Sequence, residues 1–322
     1  MYNFNIMVFP MYLLSIIFSL SSSSWILIWM GMEMNLISFI FIMLNHPIYM
    51  MKMESSMKYF LIQSLGSLIF LLTINNSMIY YNEKFLIFAM VPPMALMLKS
   101  GMAPLHSWTP MIVNKFSMKN VFLFFTLQKL VPFFILFSSW NYMISYISNI
   151  NIIIGTIGGM TQSSLIKMMI FSSINNTGWM MMSMMNSFSL FLLYFMNYFV
   201  LSFFMMKFIF KLQIKWIIQI NILSMKIKWF YFMTVMSLSG FPPFMSFTPK
   251  WLIMKNLYTH YTLNILLGII FSTISLFFYI KSSLIMLTSY SSVKKINSIK
   301  LLSTNIFMLI NLTGPFMFYI FN

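Results

Sequence analysis

A chain of 322 residues with 60% hydrophobic and only 7% charged side chains cannot be a soluble globular domain, because such a domain covers its surface with roughly 25% charged residues. The net charge of +16 is carried by lysine alone, with no arginine and no aspartate. The lysines sit at the ends of apolar runs rather than on one water-facing patch, which argues against a nucleic-acid partner. Cysteine is absent, so neither disulfides nor thiolate-ligated clusters can form in this chain.

The apolar residues fall in blocks of roughly 20, the length a helix needs to cross a hydrocarbon core about 30 Å thick. They do not alternate with polar residues as the strands of a membrane barrel do. The expected fold is therefore all-α and polytopic. About eleven transmembrane helices are read near 6–20, 25–44, 57–75, 85–114, 119–138, 147–161, 164–185, 188–210, 229–256, 262–286 and 301–320. No basic n-region or arginine-rich transit peptide precedes the first run. Short polar hinges such as Ser21 to Ser24 and Asn82-Glu83-Lys84 separate the spans. The longest interruption, near 211–228, holds the amphipathic stretch Lys215-Trp216-Ile217-Ile218, expected to lie along the membrane interface. With alternating spans, the lysines other than those deep inside them, from Lys52 to Lys300, fall on or near the side of the N-terminus, except Lys84 and Lys255. The positive-inside rule then puts the N-terminus inside and the C-terminus outside.

The fourth and ninth spans are too long and carry glycine and proline. Ser100-Gly101-Met102-Ala103-Pro104 is followed by Thr109-Pro110, and Ser239-Gly240-Phe241-Pro242-Pro243 by Thr248-Pro249. Every matched residue is offset by 139 positions. Five spans fit in that interval, an odd number, so the second copy is inverted relative to the first. The resulting organisation is two inverted five-helix repeats with discontinuous helices, 1–142 and 143–290, and a C-terminal helix in 291–322. Paired broken helices in inverted repeats point to a transporter's site near the midplane; the plainer alternative is a pair of packing kinks.

Glu33, Lys99, Lys129 and Lys250 fall well inside spans, where each charge costs about 2.5–3.5 kcal/mol on insertion scales. They must pair, face internal water, or be neutral part of the time. Lysine suits the last, because it can lose its proton when buried and regain it when a carboxylate approaches. Glu33 and Lys99 lie at similar depth, so a proton-handling pair and a static salt bridge both remain open. His106, inside the first break, can extend a proton wire or cap the helix. His46 and His260, at span ends, read as interfacial anchors. Gly155 and Gly159 form a close-packing G-x-x-x-G surface. Met180 to Met182 read as lipid-facing filler rather than a copper site, since no companion ligands accompany them.

Several longer motifs carry a family resemblance. They are Trp29-Met30-Gly31-Met32-Glu33-Met34-Asn35, Lys58 to Ser64, Lys99 to Trp108, Gln128-Lys129-Leu130 with Pro132, Ser172-Ser173-Ile174 with Gly178-Trp179, and Leu238 to Pro243 with Pro249-Lys250-Trp251. In these the chain resembles, over essentially its whole length, the chain 2 family of mitochondrial NADH:ubiquinone oxidoreductase (respiratory complex I). The match is to the shortened animal form, and the lack of arginine fits an AT-rich mitochondrial genome of arthropod type. The family is similar to one subunit of a cation/proton antiporter.

The resemblance implies a core proton-translocating, antiporter-like subunit of the membrane arm, coupling NADH-to-ubiquinone electron transfer to proton pumping. Glu33 and Lys99 would form the coupling pair of the first half-channel. Lys129 would bridge the central axis, and Lys250 would serve the second half-channel toward the outlet. The chain itself would hold no cofactor; NADH, FMN, iron–sulfur clusters and ubiquinone would bind elsewhere in the complex. Its partners would be the other membrane-arm subunits, the lipid bilayer and protons, with no nucleic acid. It would sit in the mitochondrial inner membrane, N-terminus in the matrix and C-terminus in the intermembrane space. One departure stands out: where related chains carry a histidine after Ser-Ser-Ile-x, this chain has Asn176, which cannot be protonated. A stand-alone cation/proton antiporter and a non-transporting membrane scaffold are the competing readings.

Overall fold

Lipid offers no partner for a backbone N–H or C=O, so a chain this apolar has to satisfy its backbone within helices. The computed structural model describes residues 2–44, 50–79, 86–222, 225–242, 244–258, 261–287 and 311. His46, the hinge at 82–84, Pro243, His260 and most of the expected eleventh span lie outside them. Among the described residues the structure is helical, with a single isolated bridge, Ser164 to Trp216, in place of any strand. Stretches long and apolar enough to cross a membrane are Trp25–Leu44, Met53–Ile74, Met118–Ser139, Asn141–Met160, Phe188–Leu212 and Thr262–Leu284, and Met7–Ser21 is a shorter apolar helix. The protein is therefore a multi-pass helical membrane protein.

The chain divides into two compact units, Met1–Ile144 and Ser145–Asn322. In the first, α1 (Tyr2–Ser21), α2 (Trp25–Leu44) and α3 (Met50–Ile79) pack in succession, and α4 (Leu86–Ser100) packs on α3. After a break come α5 (Trp108–Val113), α6 (Met118–Phe125) and α7 (Leu127–Ser139). The faces of α2 are those of a soluble helix turned inside out. Ile26, Met30, Met34, Ile37 and Phe41, at helical spacing, are exposed. Asn35 and Ser38 are buried among Met32, Leu36 and Phe39. With lipid outside, the apolar stripe faces outward and polar groups must find partners within the protein.

The expected fifth span, 119–138, is two helices rather than one. They meet at Thr126, whose φ of −113° and ψ of −85° lie outside the helical region. Its hydroxyl donates to the Phe122 carbonyl at 2.8 Å, and Lys129 N restarts the ladder on the Thr126 carbonyl at 3.2 Å. Neither glycine nor proline stands at the junction, so no residue type marked it; Pro132 lies a turn and a half further on.

The second unit contains α8 (Asn141–Met160, from residue 145), α9 (Leu165–Asn186), α10 (Phe188–Leu212), a short 3₁₀ helix (Ile217–Ile222), α11 (Met225–Ser239), α12 (Phe247–Leu257) and α13 (Thr262–Leu287). Here α9 is the central element, in contact with α10 and α12 and buried from Leu165 to Met184 except at Lys167. This corrects the reading of Met180 to Met182 as lipid-facing: each is at most 1% exposed, because α9 is enclosed by protein along the stretch that carries them. The 3₁₀ segment buries Ile217 and Ile220, spaced by three as its geometry dictates, and exposes Ile218; just before it Ile214 is buried and Trp216 exposed.

Close contact of α8 with α9 depends on Gly155. A Cβ there would stand 2.6 Å from the Asn175 amide nitrogen and 2.9 Å from its Cα. Both are backbone atoms that no rotamer change moves aside. Gly155→Ala is expected to cost about 1–3 kcal/mol, the usual range for overpacking. It should lower the unfolding temperature of the detergent-solubilised protein; an unchanged temperature would mean that α8 and α9 part freely.

Candidate functional site

Two helices stop inside the apolar region, and they stop in the same way. At the end of α4, Gly101 adopts φ +68°. Gly101 N donates to the Leu98 carbonyl at 3.3 Å, and Met102 N to that of Met97 at 3.0 Å. At the end of α11, Gly240 adopts φ +79°, with Gly240 N on Ser237 O at 3.2 Å and Phe241 N on Met236 O at 3.3 Å. Each is a Schellman cap, whose left-handed C′ residue is cheap only as glycine. The residues before them, Ser100 and Ser239, turn their hydroxyls back onto carbonyls of their own last turn. The chain then resumes helix at Trp108 and Phe247. Thr109 and Thr248 donate to the carbonyls three residues earlier, His106 at 2.8 Å and Met245 at 3.0 Å. Pro110 and Pro249 occupy the first turns, where a missing N–H leaves no bond unmade.

These breaks leave carbonyls that cannot bond within their helix, and the two units supply donors differently. In the first unit the Lys99 carbonyl accepts from Gln63 Nε2 of α3 at 2.9 Å. Lys99 itself is enclosed and points its ammonium at Glu33 of α2, Nζ to Oε1 3.9 Å. That is an ion pair without a hydrogen bond, and Glu33 Oε1 has no donor. At an effective dielectric of about 20, two charges at this distance attract by about 4 kcal/mol. Two residues beyond Glu33, Asn35 forms a reciprocal amide pair with Gln128, at 3.3 and 3.2 Å. A cavity of ≈ 20 Å³ runs among Asn35, Tyr59, Gln63, Lys99 and Gln128, room for about one water molecule. Lys129, next to Gln128, is enclosed beside the Thr126 junction, its ammonium 5.8 Å from the centre of the Phe125 ring. His106 is half-buried in the break, with Nδ1 3.2 Å from the Pro104 carbonyl.

In the second unit the lysine bonds the broken helix itself. Lys250 of α12 donates from Nζ to the Ser239 carbonyl at 2.8 Å, and lies 5.4 Å above the Trp179 ring. A cation at a helix C-terminus also meets the negative end of the helix dipole. Gly240 is bare where the lysine passes: a Cβ there would lie 2.9 Å from Lys250 Cδ and 3.1 Å from Nζ. Asn176 of α9 accepts from the Tyr194 hydroxyl at 2.8 Å, fully buried. Reading the sequence singled out the charges but not Asn35, Gln63 and Gln128. Their only signal was an amide side chain inside an apolar span, beside or within motifs already noted.

The arrangement comprises three enclosed lysines: Lys99 at the end of α4, Lys129 beside the Thr126 junction and Lys250 in the first turn of α12. Such groups can hold a proton, release it and be recharged without any redox chemistry. Gln63 supports this indirectly, since it keeps the first break satisfied while Lys99 engages Glu33. Gln63→Leu should leave the Lys99 carbonyl buried and unbonded, at a cost of about 1–3 kcal/mol. Thermal unfolding in detergent measures it, and an undiminished midpoint would show that another donor takes over.

The chain resembles known proteins both in sequence and in fold. The family model described as NADH:quinone oxidoreductase/Mrp antiporter, TM, matches residues 22–277. The chain is similar to NADH-ubiquinone oxidoreductase chain 2 of Anopheles gambiae, 38% identical over 274 residues that cover 82% of this chain and 80% of that protein. Among solved structures it is similar in fold to a chain of respiratory complex I from Thermus thermophilus with bound aureothin. That match has a TM-score of 0.77 at 15% identity and covers 95% of this chain and 77% of the other. A chain of the Mrp complex from a Dietzia species matches with a TM-score of 0.76 at 12% identity, covering 98% and 75%. With most of its length matched by the model and a relative this similar, the chain belongs to the NADH:quinone oxidoreductase/Mrp antiporter family, with NADH-ubiquinone oxidoreductase chain 2 proteins among its relatives.

Proposed function

We propose that this chain is an antiporter-like, proton-translocating subunit of the membrane arm of respiratory complex I in the mitochondrial inner membrane. There it couples electron transfer from NADH to ubiquinone with proton pumping. The observation that carries this reading is the Glu33–Lys99 pair, 3.9 Å apart at the end of a helix broken inside the apolar region. Moving one charge through 100 mV involves about 2.3 kcal/mol. An attraction of about 4 kcal/mol at an effective dielectric of about 20 is larger. Making or breaking this one contact can therefore hold a proton against a membrane potential, or let it go.

The roles are those that the family resemblance implies. Glu33 and Lys99 are the coupling pair of the first half, Lys129 is the link onward, and Lys250 faces the second break and the outlet. His106, in the first break, relays protons at its edge. The matched Schellman ends at Gly101 and Gly240 support two inverted repeats, 1–142 and 143–290, followed by a C-terminal helix in 291–322, eleven spans in all. NADH, FMN, the iron–sulfur clusters and ubiquinone belong to other subunits, in keeping with a chain that has no cysteine. Its neighbours are the other membrane-arm subunits.

The pair is tested with Glu33→Gln and Lys99→Met together, in complex reconstituted into vesicles. A purely structural bridge predicts that removing both charges restores assembly and pumping alike, since neither is left buried alone. The coupling role predicts assembly with few protons moved. Near-normal pumping by the assembled double variant would end the assignment.

Orientation is tested separately. The lysine bias puts the N-terminus in the matrix and the C-terminus in the intermembrane space. Protease added to intact mitoplasts is expected to cut the C-terminal tail and spare the loop near Lys294. The opposite pattern would reverse the topology and remove the repeat inversion with it.

A further inference from the structure

All three acidic side chains of the chain, Glu33, Glu54 and Glu83, precede residue 145, so the second unit holds neither aspartate nor glutamate. In the first unit a carboxylate faces Lys99 at 3.9 Å. Lys250, enclosed at 3% exposure, has no carboxylate side chain in its own unit to meet it. Among the described residues its ammonium meets two neutral groups instead. One is the Ser239 carbonyl at 2.8 Å; the other is the indole of Trp179, whose ring centre lies 5.4 Å from Nζ.

The two groups recognise different things. A carbonyl accepts a hydrogen bond from an amine N–H as well as from an ammonium, so Ser239 can hold Lys250 with or without its extra proton. The face of an aromatic ring carries the negative end of a quadrupole, which attracts a cation, and indole does so most strongly. A neutral amine loses that attraction. Trp179 therefore responds to the charge on the lysine nitrogen, and the carbonyl only to its N–H.

The surroundings of the indole point the same way. Trp179 lies on α9 at 1% exposure. Gly268 of α13 lies against the ring: a Cβ there would stand 3.1 Å from Cη2 and 3.4 Å from Cζ2, so a larger residue would press on it. The indole N–H is buried and donates to no acceptor among the described residues. A side chain kept only to fill this space would be better as phenylalanine or leucine, which bury no unbonded donor. What tryptophan adds over both is the strength of its face toward a cation.

We propose that Trp179 is a positioning residue for Lys250, a neutral counter-group that keeps the lysine nitrogen at the end of α11 while it is charged and loosens it once the proton has left. This rests on the proton-carrying role of Lys250. The indole itself takes up no proton; it fixes where the charged nitrogen waits, and the flexible lysine stem lets the uncharged nitrogen swing away. The second unit thereby does with a ring face what the first does with the Glu33 carboxylate.

The test uses the intact complex in vesicles, with protons moved per NADH as the readout and native gels as the check on assembly. Trp179→Leu removes the ring face and should lose the same share of protons as Lys250→Met. Trp179→Phe keeps a weaker face and should recover about half of that share. Combined with Lys250→Met, neither variant should lose more, as expected of residues that act through one another. Equal losses in the leucine and phenylalanine variants overturn the proposal, because the shape of the indole and not its face would then matter. If Lys250→Met loses pumping while Trp179→Leu pumps normally, the proposal falls and the role of Lys250 stands. If Lys250→Met itself pumps normally, both fall. Should Trp179→Leu fail to assemble, ultraviolet resonance Raman spectra decide. The indole bands of the unaltered complex should differ from those of Lys250→Met, which has no cation over the ring, and identical spectra overturn the assignment.

Discussion

A helix that ends inside a membrane exposes carbonyls to a medium with nothing to bond them, and the rest of this structure is arranged around that fact. Both interruptions use a left-handed glycine to fold two amides back onto the last turn, which leaves the terminal carbonyls to be reached from elsewhere. At the first, a neutral amide from α3 reaches across; at the second, a charged ammonium from the next helix segment does. The donor chosen decides what the nearby lysine can do. With Gln63 bonding the carbonyl of Lys99, that lysine's own side chain is released toward Glu33. Lys250 is itself the donor, so its charge and the integrity of its helix end are joined.

The same constraint explains why polar side chains sit where they do. Each unit exposes many apolar side chains while burying amides, hydroxyls and two lysines among its apolar core. In the first unit the Asn35–Gln128 pair lies between the Glu33–Lys99 contact and Lys129 along the chain positions that carry them. In the second unit Ser172, Ser173, Asn176 and Tyr194 are buried polar groups of α9 and α10. Such interiors are costly to bury, and a chain that needed only to fill a membrane would do without them.

Much of this was legible in the residues. Apolar blocks of helical length announce spans, and the repeated Ser-Gly and Thr-Pro spacing marks the positions where α4 and α11 stop. Depth along the spans pairs Glu33 with Lys99 because charge in lipid is so expensive that few arrangements survive. What stayed hidden is tertiary. Thr126 interrupts a helix with no glycine or proline to signal it. Met180 to Met182 look like lipid-facing residues until the neighbours of α9 are known. Lys228, which reads as a flanking lysine at the membrane face, is enclosed by protein at 5% exposure. The amide pair of Asn35 and Gln128 joins residues 93 positions apart, a distance over which local periodicity carries no information.

At Gly240 the space a side chain would fill is occupied by the stem of Lys250, within 3.2 Å along its last two carbons and its nitrogen. The bare position and the long one are thus a single trait written at two sites. In a chain whose composition is pulled toward methionine, phenylalanine, isoleucine and lysine, drift at one of them is held in check by the other. Enlarging the glycine would press on the lysine stem as well as strain a left-handed backbone. Volume, as much as charge, thereby narrows the inheritance of this half of the molecule.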